Sequence, residues 1–450
     1  MASASLTERR LTEQRMPWLL AGLSIAVSIP YAVMGPNLIL DDWFTLYFRM
    51  RDGVLLAGGR GQIGARPGAF TVLTAQYGFI GAHPLALYLV QVAFSTVAAV
   101  LLFVALRRFV SPGRAFATAG VWVLLPNHST IDRWAAAMPA LVSLVLLLAG
   151  IVLLERSIDR GTSAFPAVAV FCASALCYEA SLAPAGVALL AVPWLAGARP
   201  TLRTLVATEA PLALTGVWML ANSQHTSGDF VGWFDFPRML QAHIGAGINR
   251  PEALVVIVAI VGAVGVALAL ARPLAPSLRG LPSETTWLVV AGLVVIVSGT
   301  LAFVRYPIAP LNLGDRANVV ASVGTAMLWV GIGTIVWERR RVGVVAATAF
   351  ALVLLVGRVQ RDVDYVDAGD DAVAILAALD RTHADRPPGE VVVGPQAMFH
   401  HGIVGLIGTI DQAVRADSGD PTRTARVAVT DEEFEETPEA LRLDLRTLRP

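Results

Sequence analysis

The sequence predicts a polytopic α-helical membrane protein that ends in a small polar α/β domain. Of its 450 residues, 55% are hydrophobic and only 15% are charged, and the mean hydropathy is +0.63. A soluble domain carries about 25% charged residues. Apolar stretches follow one another over residues 1–358, whereas residues 359–450 are rich in Asp, Glu and Arg. We therefore expect a transmembrane domain over 1–358 and a separate small domain over 359–450.

The apolar stretches predict about eleven transmembrane helices, because a helix needs about 20 apolar residues to cross the hydrocarbon core. The predicted spans lie near 17–35, 84–106, 114–127, 135–154, 164–180, 182–197, 204–221, 252–271, 285–304, 317–337 and 342–358. The first is too long for the apolar core of a signal peptide, so we predict that it is not cleaved.

Arginine placement predicts the orientation of these spans. All 34 basic residues are arginine, and cytoplasmic loops of membrane proteins carry an excess of basic residues. Arginines are denser in the segments that lie inside if the N-terminus is cytoplasmic, such as 107–114 and 339–341. An odd number of spans then places the C-terminal domain outside, on the same face as the long loop at 36–83. The predicted location is the plasma membrane.

Composition excludes several other functions. The formal net charge is zero, so no overall positive field attracts nucleic acid. Cys172 and Cys177 lie in one apolar segment and predict neither a disulfide framework nor a metal site.

The C-terminal segment predicts a helix at 371–381, strands at 391–393 and 426–430, and an acidic helix from Asp431.

The most informative motif is Asp41-Asp42-Trp43, near the start of the outer loop 36–83. Carboxylates held close to hydrocarbon are costly and mark a functional site by default. The alternative is a solvated C-terminus of the preceding helix, where carboxylates are mildly unfavourable. The stretch 43–50 suits a helix in the membrane interface, and its aromatic residues belong either to an interfacial belt or to a substrate site.

Further polar residues fall in the segments predicted to lie outside. The candidates for substrate binding are Trp43, Arg66, His128, Arg133, Glu179 and Arg316. A carboxylate can act as general base on a hydroxyl, while arginines bind a phosphate leaving group through planar, bidentate donors. Four of them also have a structural alternative: a headgroup contact for Arg66, a helix cap for His128, an interfacial position for Glu179 and a local ion pair with Asp315 for Arg316.

The chain resembles the GT-C superfamily of integral-membrane glycosyltransferases. The resemblance rests on Asp41-Asp42 at the start of a long first outer loop, on Arg66-Pro67 further along it, and on about eleven spans followed by an outward C-terminal domain. Within that superfamily the chain is similar to actinobacterial members related to protein-mannosyl and arabinosyl transferases. Its C-terminal domain is smaller than the carbohydrate-binding modules of the arabinosyl members.

The resemblance implies a polyprenyl-phosphate sugar donor and an acceptor that is a cell-envelope glycan, a glycolipid or a protein. It implies an inverting single displacement in which Asp41 deprotonates the acceptor hydroxyl and Asp42 orients Asp41 or the acceptor, or helps to hold a divalent cation (Mg²⁺, Mn²⁺ or Ca²⁺). No cofactor is otherwise implied. Arg66, His128 and Arg316 would stabilise the departing polyprenyl phosphate.

Two other functions stay open at this point. In a transporter or a lipid-linked-sugar flippase, the acidic pair would bind a proton or a cation. Transporters usually place such charges near the middle of the membrane on broken helices, often within inverted repeats, whereas here they cluster on the outer side and no repeat is visible. A non-catalytic scaffold would leave the acidic pair unexplained.

Overall fold

The protein was analysed as a computed structural model, and it is mostly helical. The structure describes residues 6–197, 201–222, 283–303, 313–337, 340–384, 390–393, 399–400, 403–404, 406, 409–420, 422–427, 435 and 442–443. The α-helices are α1 Leu6–Ala26, α2 Ile29–Met34, α3 Asp41–Asp52, α4 Arg60–Ala65, α5 Pro67–Phe79, α6 Pro84–Leu106, α7 Pro112–Leu124, α8 Ser129–Arg133, α9 Met138–Arg160, α10 Phe165–Cys177, α11 Leu182–Leu195, α12 Leu202–Asn222, α13 Ser283–Thr300, α14 Ala321–Trp337, α15 Arg340–Ala384 and α16 Ile410–Ser418.

Within the described ranges, five helical segments are long and apolar enough to cross a membrane. They are Glu13–Met34, Pro84–Leu106, Ala135–Arg160, Leu202–Asn222 and Gly343–His383. Shorter apolar helices occupy Phe165–Cys177, Glu179–Leu195, Glu284–Thr300 and Ala321–Thr334. The prediction of a polytopic helical protein is therefore confirmed. The span predicted at 252–271 lies outside the described residues, so the count of eleven stays a prediction.

The helices place the polar segments at two opposite ends. At one end the start of α7 meets the start of α13, where Arg114 donates to Glu284 at 2.6 Å. At the other end, the segment after α7 meets the segment after α13, where Ser129 donates to Asp315 at 3.0 Å. Segments predicted to share the outer face thus meet at one end. Which end faces the cytoplasm stays a prediction.

Helices α13 and α14 pack closely because glycines face each other. A Cβ added at Gly292 would lie 2.8 Å from the carbonyl oxygen of Gly324, and one added at Gly324 would lie 2.4 Å from that of Gly292. Small residues of this kind let two membrane helices approach backbone to backbone. Substitution by alanine would force the pair apart.

Helix α15 runs without a break across residue 358, where the predicted domain boundary lies. It has 45 residues, so at 1.5 Å per residue it is about 68 Å long, more than twice the roughly 30 Å hydrocarbon core. The helix predicted at 371–381 is its C-terminal part. The polar composition after residue 358 therefore marks where this helix leaves the apolar region, since no helix ends there.

The C-terminal segment adds a small sheet and the helix α16, which packs against α3. Strand β1, Glu390–Val393, pairs in parallel with β4, Thr424–Val427, and with β5, Arg442–Leu443, in the order β4-β1-β5. A short antiparallel pair joins β2, Phe399–His400, to β3, Ile403–Val404. The strand predicted at 391–393 is confirmed. The one predicted at 426–430 begins two residues earlier, at Thr424, and the helix predicted from Asp431 lies largely outside the described residues.

One buried apolar cluster joins the C-terminal segment to the outer loop. It includes side chains from α3, α5, α15, β1 and α16, among them Trp43, Leu46, Tyr77, Ile375, Leu379, Val391, Val393, Ile410 and Val414. The interfacial position predicted for 43–50 stays a prediction. One side of α3 packs into a protein core, while Phe44 at 37% exposure lies outside it.

Candidate active site

The acidic pair lies at the start of α3, at the N-terminal end of a helix. Both carboxylates fall in its first turn, where the positive end of the helix dipole stabilises negative charge. The residue before them, Leu40, has φ 42°, and it is the only non-glycine among the described residues with a positive φ. A backbone held in this region costs about 1–3 kcal/mol. The alternative of a solvated helix C-terminus is wrong, because a separate helix begins at Asp41.

Asp42 is a buried hydrogen-bond acceptor for three segments of the chain. Its side chain accepts from the backbone N–H of Ile39 at 2.9 Å, from the backbone N–H of Ala136 at 2.8 Å and from the hydroxyl of Tyr77. Only 1% of the residue is exposed. Burial raises the pKa of Asp42 to about 7, and the three donors oppose that shift. Asp42 therefore fixes the start of α3 and has little surface for substrate.

Asp41 differs from its neighbour because half of its side chain is exposed. One carboxylate oxygen lies 3.7 Å from a guanidinium nitrogen of Arg316, with exposed side-chain fractions of 49% for Asp41 and 43% for Arg316. Partial burial raises the pKa of the Asp41 carboxyl, while the positive charge of Arg316 opposes that shift. An accessible carboxylate with a raised pKa is suited to accept a proton.

Arg316 is held beside Asp41 by an aromatic ring. Its guanidinium carbon lies 5.0 Å from the ring centroid of Trp134, within the range of a cation–π contact. The indole N–H of Trp134 donates to the carbonyl of Ile39 at 3.2 Å. The segment before α3, the segment after α8 and the segment 313–318 therefore meet at one point, and they place an accessible base next to an accessible cation.

Trp43 lies next to the pair but faces the protein interior. It is 7% exposed, and its indole N–H donates to the carbonyl of Leu38 at 3.2 Å. Its position in the apolar cluster with α16 and β1 gives it a structural role in anchoring α3. Direct substrate contact by Trp43 stays a prediction that this burial does not support.

Arg66 and Glu179 form a second charged pair, separate from the first. A guanidinium nitrogen of Arg66 pairs with one Glu179 oxygen, and the guanidinium carbon lies 5.6 Å from the ring centroid of Tyr178. The exposed side-chain fractions are 32% for Arg66 and 19% for Glu179. The second Glu179 oxygen is buried without a hydrogen-bond partner among the described residues. This leaves Arg66 partly accessible, but it does not bring it to Asp41.

His128 is fully buried, which is unlike the expected phosphate ligand. Its ring stacks on Trp122 with a centroid distance of 4.8 Å and an interplanar angle of 7°. Burial lowers the pKa of His128 to about 3, so the imidazole is neutral at physiological pH. A neutral ring enclosed by protein does not bind an anion, so the predicted substrate role of His128 receives no support from its position.

Arg133 is also buried, within a network of charged side chains. It forms an ion pair with Asp362 of α15 and contacts Asp132 at 3.3 Å. Asp132 in turn accepts from Arg358 of α15 at 2.7 Å. All four side chains are at most 6% exposed. Such a network needs each charge to be compensated, because a lone buried charge is strongly destabilising. Arg133 therefore joins α8 to α15, and its position leaves no guanidinium surface open to a substrate.

Comparisons with known proteins give similar folds and no family. Neither a family model nor a curated protein sequence matches the chain. Among solved structures, the chain is similar to ArnT from Cupriavidus metallidurans bound to undecaprenyl phosphate, with 14% identity, a TM-score of 0.46, and coverage of 94% of this chain and 91% of that one. It is also similar to the apo state of the same protein, with 15% identity, a TM-score of 0.41, and coverage of 91% and 89%. Neither similarity assigns a role to any residue.

The described side chains around the acidic pair do not fit a divalent cation. Both oxygens of Asp42 already accept hydrogen bonds from three donors, and the free face of Asp41 lies beside a positive charge. Among the described residues, no group of three His, Cys, Asp or Glu side chains is placed to hold a metal ion. A cation bridging the two aspartates would need carboxylate oxygens as ligands. Those of Asp42 already accept hydrogen bonds, and Asp41 pairs with Arg316.

Sequence reasoning missed the charged face of α15. Arg358 is followed three and four positions later by Arg361 and Asp362, and Tyr365 follows these two by four and three positions; all four are at most 3% exposed. The signal was present as a run of charges with that period directly after an apolar span. It was assigned to a separate domain because the composition changes at residue 358. Tyr77, the partner of Asp42, carried no signal of its own, because a tyrosine in an apolar segment is unremarkable.

Proposed function

We propose that this chain is a membrane glycosyltransferase of the GT-C type. It would transfer a sugar from a polyprenyl-phosphate donor to an acceptor hydroxyl outside the cytoplasm, during synthesis of the cell envelope. The observation that carries the proposal is the accessible Asp41 carboxylate beside the accessible Arg316 guanidinium. The buried Asp42 fixes the start of α3 and thereby the position of Asp41. A base and a phosphate-binding cation at one point are the two groups that the reaction requires.

Each group has a defined task in the proposed displacement. Asp41 takes the proton from the acceptor hydroxyl as its oxygen forms a bond to the anomeric carbon. The bond between that carbon and the phosphate oxygen breaks, and the polyprenyl phosphate leaves with the electron pair. Arg316 binds the charge that develops on the leaving phosphate, through the planar donors that suit phosphate. Because there is a single displacement, the configuration at the anomeric carbon is inverted.

Substrate binding would separate the two charges. At 3.7 Å, Asp41 and Arg316 form a loose, partly exposed pair, and such pairs contribute little stability. The acceptor hydroxyl would then bind to Asp41 while the donor phosphate binds to Arg316. Arg66 is the second partly accessible arginine among the proposed site residues, and we assign it to the donor headgroup nearer the membrane surface.

The proposal includes an orientation. The N-terminus would be cytoplasmic and the acidic pair and the C-terminal segment would face outward, in agreement with the arginine distribution. The acceptor is a glycan, a glycolipid or a protein, and the donor sugar is defined only as linked to polyprenyl phosphate. No nucleotide site is needed, because the sugar is activated on the lipid.

The direct test is transfer of sugar by reconstituted protein. Purified protein in liposomes is supplied with polyprenyl-phosphate mannose, arabinose or glucose and with an envelope extract as acceptor. We expect Asp41→Asn to lower transfer by about 100-fold or more, the contribution typical of a general base. The matched control is Asp159→Asn, which removes a half-exposed carboxylate paired with Arg108 at the opposite end of the helices and should leave transfer within about twofold, as an exposed ion pair contributes little.

Two results would contradict the proposal. Normal transfer by Asp41→Asn would remove the base assignment. If no sugar is transferred by the wild-type protein but a labelled donor lipid crosses the bilayer, and Asp41→Asn stops that movement, the flippase function would be favoured.

A further inference from the structure

We propose that Arg361 and Tyr365 of α15 are positioning residues for Arg316, acting through Ser129, Thr130 and Asp315. The inference rests on the proposed function, since it is the donor-binding role of Arg316 that this positioning would serve. It adds a role for α15, a helix that holds none of the site residues predicted from the sequence.

Asp315 is anchored by the first two residues of α8. One carboxylate oxygen accepts from the hydroxyl of Ser129 at 3.0 Å, and the other accepts from the backbone N–H of Thr130 at 3.0 Å. All three residues are fully buried. A buried carboxylate that is bonded on both oxygens has one favourable position, because moving it would strand the acceptor and its donors. Asp315 therefore fixes the segment 313–318 against α8.

Helix α15 holds the same two residues of α8 from the other side. The guanidinium Nε of Arg361 lies 3.4 Å from the Ser129 hydroxyl, and the hydroxyl of Tyr365 lies 2.6 Å from that of Thr130. Arg361 and Tyr365 are four residues apart and so share one face of the helix. Two parallel bridges thus run from α15 to Asp315, one through Ser129 and one through Thr130. The charge of Arg361 also favours the ionised form of Asp315.

Arg316 directly follows the anchored Asp315, and its side chain extends into the candidate site. Arg316 is 43% exposed in its side chain, while Asp315 is fully buried. The anchored backbone directs the guanidinium over Trp134 and to 3.7 Å from Asp41. The alternative of a plain Asp315–Arg316 ion pair is not what the structure shows, because the two side chains point into different surroundings. Asp315 instead holds its neighbour in place.

The same helix also contacts the core beneath α3. Ile375 and Leu379 of α15 lie in the apolar cluster that contains Trp43 and Leu46 of α3. One continuous helix therefore supports both halves of the site: the segment with Arg316 through hydrogen bonds, and the helix that starts with Asp41 through apolar packing. A helix is stiff over this length, so the two groups keep a constant separation.

The first test measures the position of residue 316 without any substrate. Arg316→Cys is introduced with Cys172 and Cys177, the native cysteines of α10, replaced by alanine, and the rate of labelling by a charged thiosulfonate reagent is measured. Adding Ser129→Ala together with Tyr365→Phe cuts both bridges. We expect the labelling rate to change by about tenfold or more, because Ser129→Ala removes two hydrogen bonds and Tyr365→Phe a third, and three bonds at the weak end of the ordinary range correspond to about that factor.

The matched control removes a buried hydroxyl elsewhere. Thr118 is fully buried in α7 and its hydroxyl donates to the carbonyl of Arg114 at 2.9 Å. Thr118→Val should leave the labelling rate unchanged. If the bridge variants also leave it unchanged while eluting as folded protein, or if Thr118→Val changes it equally, the positioning role is overturned.

The second test links the position to the phosphate. Binding of undecaprenyl phosphate to detergent-solubilised protein is measured for Ser129→Ala/Tyr365→Phe, for Arg316→Ala and for the triple variant. We expect the double variant to bind several-fold more weakly, and the triple variant to bind no more weakly than Arg316→Ala alone, because the bridges act through Arg316. Additive losses would overturn the inference. If wild-type protein binds no undecaprenyl phosphate but the labelling result holds, the positioning stands and the donor assignment fails.

Discussion

Removal of the hydroxyl of Tyr77 should cost more stability at pH 8 than at pH 5.5. The hydroxyl donates to Asp42, whose pKa is about 7 in the folded protein. At pH 8 the acceptor is a carboxylate, and a hydrogen bond to a charged group contributes about 1.5–3 kcal/mol, against about 0.5–1.5 kcal/mol for a neutral one. Tyr77→Phe should therefore lower the free energy of unfolding by about 1 kcal/mol more at pH 8.

The sign follows from the direction of the pKa shift. Tyr77 lowers the pKa of Asp42 against the larger effect of burial, so its loss raises that pKa further and disfavours the ionised form in the fold. Burial already holds the pKa of Asp42 in the folded protein above its ordinary value of about 3.9. The stability that Asp42 contributes is therefore fully present below about pH 3.9, and it is lost as the pH rises through about 7. Above about pH 7 the wild-type protein loses no more stability through Asp42, whereas the variant continues to lose it up to its higher folded pKa, so the difference between the two proteins develops between pH 7 and 8.

The assay is unfolding in mixed detergent micelles at the two pH values, with a matched tyrosine as control. Tyr88 is 2% exposed, and its hydroxyl donates to the backbone carbonyl of Ser28 at 2.9 Å. That acceptor does not titrate, so Tyr88→Phe should lose a similar amount of stability at both pH values. A loss for Tyr77→Phe that is equal at both values, or larger at pH 5.5, would refute the placement of a buried, ionisable Asp42 at the start of α3.

Three further outcomes follow from the buried groups and the second pair. Asp362→Asn should destabilise the protein by about 3–5 kcal/mol, because it leaves Asp132 as the one carboxylate facing both Arg133 and Arg358 in the interior; an unfolding midpoint equal to that of wild type would contradict this. His128 has a folded pKa of about 3, so its own contribution to stability should fall by about 1.4 kcal/mol per pH unit below pH 6.5, and in unfolding measured at pH 7.5 and 5.5 the wild-type protein should lose that amount relative to His128→Phe. Arg66→Gln should raise the KM for the donor several-fold and change kcat little, because uniform binding is lost, whereas a fall in kcat alone would remove Arg66 from the headgroup.

The sequence predicted the class of fold and the position of the pair, because both depend on local signals. Apolar stretches of membrane length predicted spans such as 84–106 and 135–154, and helices cover these ranges. Two adjacent carboxylates after an apolar segment pointed to Asp41-Asp42. Charges near a membrane helix are rare enough to be informative without any tertiary structure.

The different roles of the two aspartates could not be predicted, since they depend on distant contacts. Asp42 is buried by Tyr77, 35 positions away, and by the backbone of Ala136, 94 positions away. His128 and Arg133 were expected to face substrate because they lie in a loop. The structure buries both, since α15 brings Arg358 and Asp362 from more than 200 positions away.

The continuity of α15 was also beyond the sequence reasoning. A change from apolar to charged residues at 358 suggests a domain boundary, yet a helix that leaves a membrane and enters a protein interface changes composition without ending. Charges at helical spacing then mark a buried face when ionic partners exist on neighbouring segments. The acceptor-binding surface and the span at 252–271 stay predictions.

The measurement that tests the central claim most directly is the pH dependence of kcat/KM for transfer by wild type, Arg316→Gln and Asp41→Asn, because this ratio reports the pKa values of the free protein. A base must be deprotonated, so the rate should fall as the pH drops through the pKa of Asp41. Arg316 opposes the upward shift of that pKa, so Arg316→Gln should move the acid limb to higher pH, and the residual activity of Asp41→Asn should have no such limb. An acid limb that stays in place without Arg316, or that persists without the Asp41 carboxylate, would contradict the assignment of Asp41 as the base.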